Sequence, residues 1–320
     1  AENYRVSWFC TETANLILSK VLFMEQGSAA ENEAVEILIK LAENGNIGAM
    51  DSLACYLADK HPRESMEAEL LCSGYGLIEG PVWIQKHGLY FSDVIFGGVF
   101  CLDETGKVNP VFEHRRGIGG MAAHADGGLV VSGRNLTYKS FDGAISHTIF
   151  DNDPDNGRVG FNDITTDNKG RIYAGSLGSS PVFDDGLEPR AGDLYLIDLE
   201  GGIEIVATDV MLTNGLGFSP DGKTLYHSDS RRNTVYCYAV NGDGTLGAKT
   251  PFCEPKNGIP DGLVVSQDGA LWVALADGGA GVAVYNPDGS ERDFVDIPLP
   301  MCTSVCFGGN DGRDLYIVSG

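Results

Sequence analysis

The sequence predicts an all-β protein, a six-bladed β-propeller carrying an N-terminal α-helical extension. Three observations lead there. One strand pattern recurs six times at blade-like intervals, the first five copies are each followed by a further strand candidate, and the first 66 residues carry a helical period instead.

The recurring unit is a glycine-centred turn and then a strand of bulky residues ending in small or polar ones. Its copies are LYFSD at 89, LVVSG at 129, RIYAG at 171, LYHSD at 225, LWVAL at 271 and LYIVS at 315. They lie 40, 42, 54, 46 and 44 residues apart. Intervals of this size suit four short antiparallel strands, which make one propeller blade. GVFCLD, LTYKSF, DLYLID, TVYCYAV and GVAVYN supply the next strand in the first five copies. The propeller is therefore assigned to residues 67–320. A propeller closes by mixing N- and C-terminal strands in one blade, and EAELLCS (67–73) is the natural outer strand of the sixth. That blade is one strand short at Gly320. Either the chain is cut short, or another segment fills the gap, such as YRVSWF (4–9), which alternates like a strand.

Residues 1–66 form the predicted extension. Ser28 and Glu31 make a capping box, and Ala34, Ile37, Leu38 and Leu41 recur at helical spacing until Gly45. A second stripe runs Ala49, Leu53, Tyr56, Leu57. The pair resembles one Sel1/tetratricopeptide hairpin, which cannot bury its own apolar face. It is expected to pack on the propeller or to mediate a protein contact or dimerisation.

Lys and Arg number 22 against 45 Asp and Glu, for a net charge of −23. Such a surface repels a phosphate backbone, which argues against nucleic-acid binding. No apolar run reaches the ~18 residues of a membrane span. The eight cysteines contain no CxxC pair and read as buried free thiols. No signal segment opens the chain, so the expected location is cytoplasmic.

The chemistry is read by counting back from the repeated strand. Glu79 lies ten residues before Leu89, Asn162 nine before Arg171, Asn214 eleven before Leu225 and Asp261 ten before Leu271. Inner strands of a propeller line its channel, so these residues gather at one mouth. Scattered turn residues would not keep step with the blades, although Pro260-Asp261-Gly262 taken alone is a turn tripeptide. A ring of oxygen donors without His or Cys suits a hard divalent cation, which also removes the repulsion between buried carboxylates. Asp163, beside Asn162, reads equally well as a turn former.

EGPVW (79–83), FNDI (161–164), TNGLGFSPDGKTLYHSDS (213–230), PDGLVVSQDGALWVA (261–274) and TSVCFGG (303–309) resemble the senescence marker protein/gluconolactonase/luciferin-regenerating enzyme family. The likeness covers roughly residues 68–320. It implies a six-bladed, metal-dependent hydrolase of sugar lactones, with Glu79, Asn214 and Asp261 as metal ligands, Asn162 near metal and substrate, and Asp261 as general base. Ca²⁺ is the first choice of metal, with Mg²⁺, Zn²⁺, Mn²⁺ or Fe²⁺ as alternatives. Many family lactonases place an Arg two residues before that Asn. Here the place is Gly160, and Arg134 and Arg158 are candidate replacements for contacting substrate.

The expected function is thus opening of a sugar-type or related lactone, a small-molecule substrate, with metal polarising the carbonyl and Asp261 activating water. Phosphotriester or aryl-ester hydrolysis on the same scaffold, or a non-catalytic calcium-binding propeller, are the alternatives. No GxSxG elbow supports a serine esterase. The polar loop SSPVFDDGLEPRAGD (179–193) is a candidate lid.

Overall fold

The computed structural model describes residues 5–11 through their strand pairing, and 68–113, 115–183, 186 and 188–320 in full. Strand β1 (Arg5–Thr11) pairs in parallel with β2 (Ala68–Tyr75). The first blade is β3 (Ile78–Ile84), β4 (Gly88–Asp93), β5 (Val99–Leu102) and β6 (Val108–Phe112). The second is β7 (Met121–His124), β8 (Gly128–Val131), β9 (Leu136–Ser140) and β10 (Ser146–Phe150). The third is β11 (Gly160–Thr166), β12 (Ile172–Leu177), β13 (Gly192–Ile197) and β14 (Ile203–Val210). The fourth is β15 (Thr213–Phe218), β16 (Thr224–Asp229), β17 (Thr234–Ala239) and β18 (Thr250–Cys253). The fifth is β19 (Ile259–Val265), β20 (Leu271–Ala276), β21 (Gly281–Tyr285) and β22 (Glu291–Asp296). Last come β23 (Cys302–Gly308) and β24 (Asp314–Ser319), in a sheet ordered β2-β1-β24-β23.

The fold is an all-β propeller. Inner strands β3, β7, β11, β15, β19 and β23 each touch the next, and β23 returns to β3. Five regular blades of consecutive antiparallel strands stand where six were expected. The remaining sheet is composite, because β1 lies parallel to both β2 and β24, with register breaks at Trp8/Phe9 and Cys10/Thr11. Strands brought together from distant parts of a chain are free to pair in parallel, since no hairpin fixes their direction. The helical hairpin predicted over residues 28–60 lies outside the described residues, as does everything from 12 to 67.

Blades stack face to face, so a middle strand has protein on both sides. Hence β4 and β20 are buried throughout, while the outer strands β10 and β14 are largely exposed. Leu89, Leu129, Leu225, Leu271 and Leu315, at one place in five of the repeats, are wholly buried. Each such side chain contributes about 1.5–3 kcal/mol. The third repeat has Arg171 there instead, paired with Asp167 at 2.6 Å and bonded to the Asp243 carbonyl of the next blade.

Polar links between neighbouring blades ring the channel at the end where the inner strands begin. Ser92 Oγ donates to the Ile118 carbonyl, Asn162 Nδ2 to the Thr213 carbonyl, Ser230 Oγ to the Pro260 carbonyl and Thr303 Oγ1 to the Ile78 carbonyl. These bonds, three of them buried and that of Asn162 partly so, fix the relative height of adjacent inner strands, which sets the level of the side chains they carry.

Candidate active site

Regular pairing between inner and second strands breaks at one level. The register slips between Glu79 and Val82, Phe161 and Ile164, Thr213 and Leu216, Pro260 and Leu263, and Cys302 and Ser304. The skipped residues include Asn162, Asp163, Asn214 and Asp261, and Glu79 borders the first break. A bulge turns a strand residue away from the sheet face and leaves it unpaired in the ladder. That is how these polar side chains reach the channel instead of the core between blades.

Glycine lets the bulged backbones approach one another. Gly80 adopts φ +55°, and a side chain there would meet the Gly119 carbonyl at 3.2 Å. A methyl at Gly119 would collide with Asn162 Oδ1, and one at Gly120 would lie 2.6 Å from Asp163 Oδ1. The second blade thus supplies backbone where its neighbours supply side chains, and Ser132 Oγ holds it by accepting from the Gly119 and Gly120 amides. At Gly262 a methyl would strike the Ser304 side chain and approach its Cα to 2.6 Å. Gly262→Ala is accordingly expected to cost about 1–3 kcal/mol through overpacking. Urea unfolding checks it, and an unchanged midpoint would show that the strands separate freely here.

Asn162, Asn214 and Ser230 form a chain. Asn162 Nδ2 donates to Asn214 Oδ1 at 2.6 Å, and Asn214 Nδ2 donates to Ser230 Oγ at 2.8 Å. Ser230 in turn donates to Pro260 O, which leaves its hydroxyl able only to accept from Asn214. The amide of Asn214 is thereby oriented, with its oxygen toward Asn162. Thr213 Oγ1 bonds His227 Nε2 at 2.6 Å, and burial pushes that imidazole down to about 3, so it is neutral.

Three carboxyl groups share this neighbourhood. Asp261 is buried, and Glu79 and Asp163 keep only partial contact with solvent. Burial raises Glu79 well above the usual carboxylate range, and the charges of Asp261 and Asp163 raise it further. Asp261 is raised by burial and by Asp163. Asp163 is pushed up to about 7 by burial, against hydrogen bonds from the Ile164 and Leu216 amides. Asp261 Oδ1 is buried with no hydrogen-bond partner. An orphaned carboxylate oxygen amid like charges is costly unless a cation or a proton occupies the space. The donors fit a hard divalent cation, being oxygens throughout. No three His, Cys, Asp or Glu side chains among the described residues make a metal-binding group by themselves.

The structure therefore brings Glu79, Asn162, Asn214 and Asp261 together, and adds Asp163, which sequence alone could not tell from a turn residue. Asp93 and Asp229 play another part. Asp93 accepts from the amides of Gly76, Ile95 and Phe96, and Asp229 from those of Met211 and Leu212, so both are occupied in turns.

The two arginines part company. Arg158 lies 4.3 Å from the Phe150 ring centre, and donates to Tyr195 Oη and to the Asp151 carbonyl. These contacts hold it among β10, β11 and β13, not with the carboxylates. Arg134 is exposed, one residue past Gly133, whose backbone pairs with Phe161. Its Cα lies 3.6 Å from where a Gly160 methyl would stand. In the 179–193 loop, Phe183 packs over Gly117 and under the Arg116 guanidinium at 4.9 Å, which carries the loop toward the second blade. The six described cysteines are free.

Comparison with known proteins gives a consistent set of relatives. The family described as SMP-30/Gluconolactonase/LRE-like region matches residues 77–320. A 6-deoxy-6-sulfogluconolactonase of Pseudomonas putida is 32% identical over 249 residues, covering 75% of this chain and 82% of the relative. Pentonolactonase XacC of Haloferax volcanii is also 32% identical over 249 residues, covering 75% and 80%. A solved luciferin-regenerating enzyme superposes with a TM-score of 0.68 at 25% identity, over 77% of this chain and 84% of that one.

Proposed function

This chain belongs to the SMP-30/gluconolactonase/LRE-like family, and we propose that it hydrolyses a sugar-type lactone at the channel mouth with the help of a divalent cation. The observation that carries the reading is the buried Asp261 oxygen without a partner, within reach of the charges of Glu79 and Asp163, with Asn214 tied through Ser230 to the Pro260 carbonyl beside it. The lactonase names of the two relatives supply the substrate class.

A cation held by Glu79, Asn214 and Asp261, with Ca²⁺ first among the candidates, would supply Lewis-acid polarisation of the lactone carbonyl. Asp261 takes a proton from the attacking water as its oxygen bonds to the carbonyl carbon. The ring C–O bond then breaks, the proton passes to the departing ring oxygen, and a hydroxy acid results. Asn162, held by its bonds to Thr213 and Asn214, presents its Oδ1 to substrate hydroxyls. Arg134 at the rim is the substrate-facing arginine. Arg158, tied to its aromatic neighbours, shapes the third blade instead.

A panel of aldonolactones, aryl esters and phosphotriesters, followed by acid release, tests the reading. Lactones are expected to turn over, chelation to abolish turnover, and Ca²⁺ or another divalent cation to restore it. Turnover of aryl esters or phosphotriesters alone would reassign the chemistry. Calcium binding without any turnover would make the propeller a scaffold.

A further inference from the structure

The rim beside Asn162 gathers three arginines, Arg115, Arg116 and Arg134, in a protein of net charge −23. Backbone contacts bring them together. A Gly133 methyl would lie 3.0 Å from the Gly117 carbonyl and 3.6 Å from that of Arg116, so the turn bearing Arg134 rests on the segment bearing Arg116. Among the described residues none of the three forms an ion pair, whereas Arg171, Arg232 and Arg292 all do. Positive charge in an acidic protein ordinarily finds a carboxylate; among the described residues these three have none.

The three have different tasks. Arg115 is structural: its guanidinium donates to the carbonyls of Ser132 and Asn135 and to Thr137 Oγ1, clamping the turn on both sides of Arg134. Reciprocal bonds between Gly133 and Phe161 hold the same turn against the inner strand that carries Asn162. Arg134 is exposed and makes no hydrogen bond with a described residue. Arg116 is exposed, anchored through Nε to the Ile95 carbonyl and laid against Phe183, and no described residue takes up its two terminal nitrogens. Two guanidinium groups are thus carried on adjoining backbone segments near Asn162, and guanidinium matches an oxyanion in charge and in its paired donors.

We infer that Arg116 and Arg134 form an anion subsite on the rim, selecting lactones that carry a negatively charged substituent such as a phosphate, sulfonate or carboxylate. Neutral lactones need no such site. An anionic one approaching a mouth lined by carboxylates is repelled unless cationic groups meet it. The inference takes the ring from the lactonase reading, but the anion recognition stands on the arginines alone.

The test pairs binding with turnover, using metal-replete protein. Calorimetry compares gluconate with 6-phosphogluconate, and kinetics compares gluconolactone with its 6-phosphate. Wild type is expected to favour the phosphorylated member of each pair by about tenfold or more, and less so as salt is raised. Arg134→Gln and Arg116→Gln should each bring that ratio most of the way to one. Lys223→Gln, the same charge change at an exposed site in the β15–β16 turn, should leave the ratio as in wild type. No binding preference in wild type, or a preference that survives both arginine substitutions, overturns the subsite. If neither lactone turns over yet the binding preference is present and lost in the variants, the subsite stands and the lactonase reading falls.

Discussion

Asp261→Asn is expected to fold, to bind a divalent cation measurably but more weakly, and to hydrolyse lactone about 10²–10⁴ times more slowly at saturating metal, the usual cost of a lost general base. The substitution is nearly isosteric and removes a buried negative charge from beside Glu79 and Asp163. Its stability in the absence of metal should therefore equal or exceed that of wild type. Asn keeps one oxygen for a cation but cannot accept the proton from water. Asn214→Asp is the contrasting variant: it leaves the base in place, yet loses the bond donated to Ser230 and adds a fourth carboxylate. It should weaken metal retention more than it slows turnover under saturation. Initial rates with metal titrated to saturation separate the two. Turnover by Asp261→Asn close to wild type would return the residue to a turn role within Pro260-Asp261-Gly262.

The four residues Glu79, Asn162, Asn214 and Asp261 were legible because each lies on an inner strand at a near-constant distance from a recognisable neighbour strand. What placed them in the channel, the bulge, was not legible, since a one-residue register slip leaves no mark in composition. Asp163 falls inside such a slip, and only the fold separates it from the aspartates that bind turn amides, such as Asp93 and Asp229. The second blade offers Gly119 and Gly120, so there was no polar residue to count back to. Arg158 lies near enough in sequence to Asn162 to suggest substrate contact. Its capture by Phe150 and Tyr195 depends on two other strands, which no local pattern records. The same limit applies to β1: alternation in YRVSWF suggests a strand, but its parallel pairing with β2 and β24 joins segments far apart in the chain.

The carboxylate cluster makes stability depend on pH and metal together. A carboxyl group whose folded pKa is raised binds more protons in the native state than in the unfolded one between its two pKa values, so it lowers stability as pH rises across that window. For Asp163 the window runs from 3.8 to about 7. A shift of that size corresponds to on the order of 4 kcal/mol once complete, and Glu79 and Asp261 act in the same direction. His227 acts oppositely. Lowered from 6.5 to about 3 by burial, it adds stability as pH rises through that range, so the raw profile of metal-stripped protein is a sum of opposed slopes. Asp268, lowered to about 2 first by its bond from Arg292, changes only below pH 4 and stays outside the window. Calcium separates the contributions, since a cation neutralises the carboxylates and is not held by His227, whose Nε2 is engaged with Thr213 Oγ1. The stabilisation gained on adding Ca²⁺ to metal-stripped protein is therefore expected to be small near pH 4 and to grow by several kcal/mol toward pH 7. Urea unfolding of both forms at each pH measures it. Asp163→Asn, with one charge fewer to neutralise, should flatten the growth while leaving the His227 slope in place. A calcium stabilisation that is constant from pH 4 to 7 would mean that the three carboxylates do not share their field with the cation, and the site would have to be sought elsewhere.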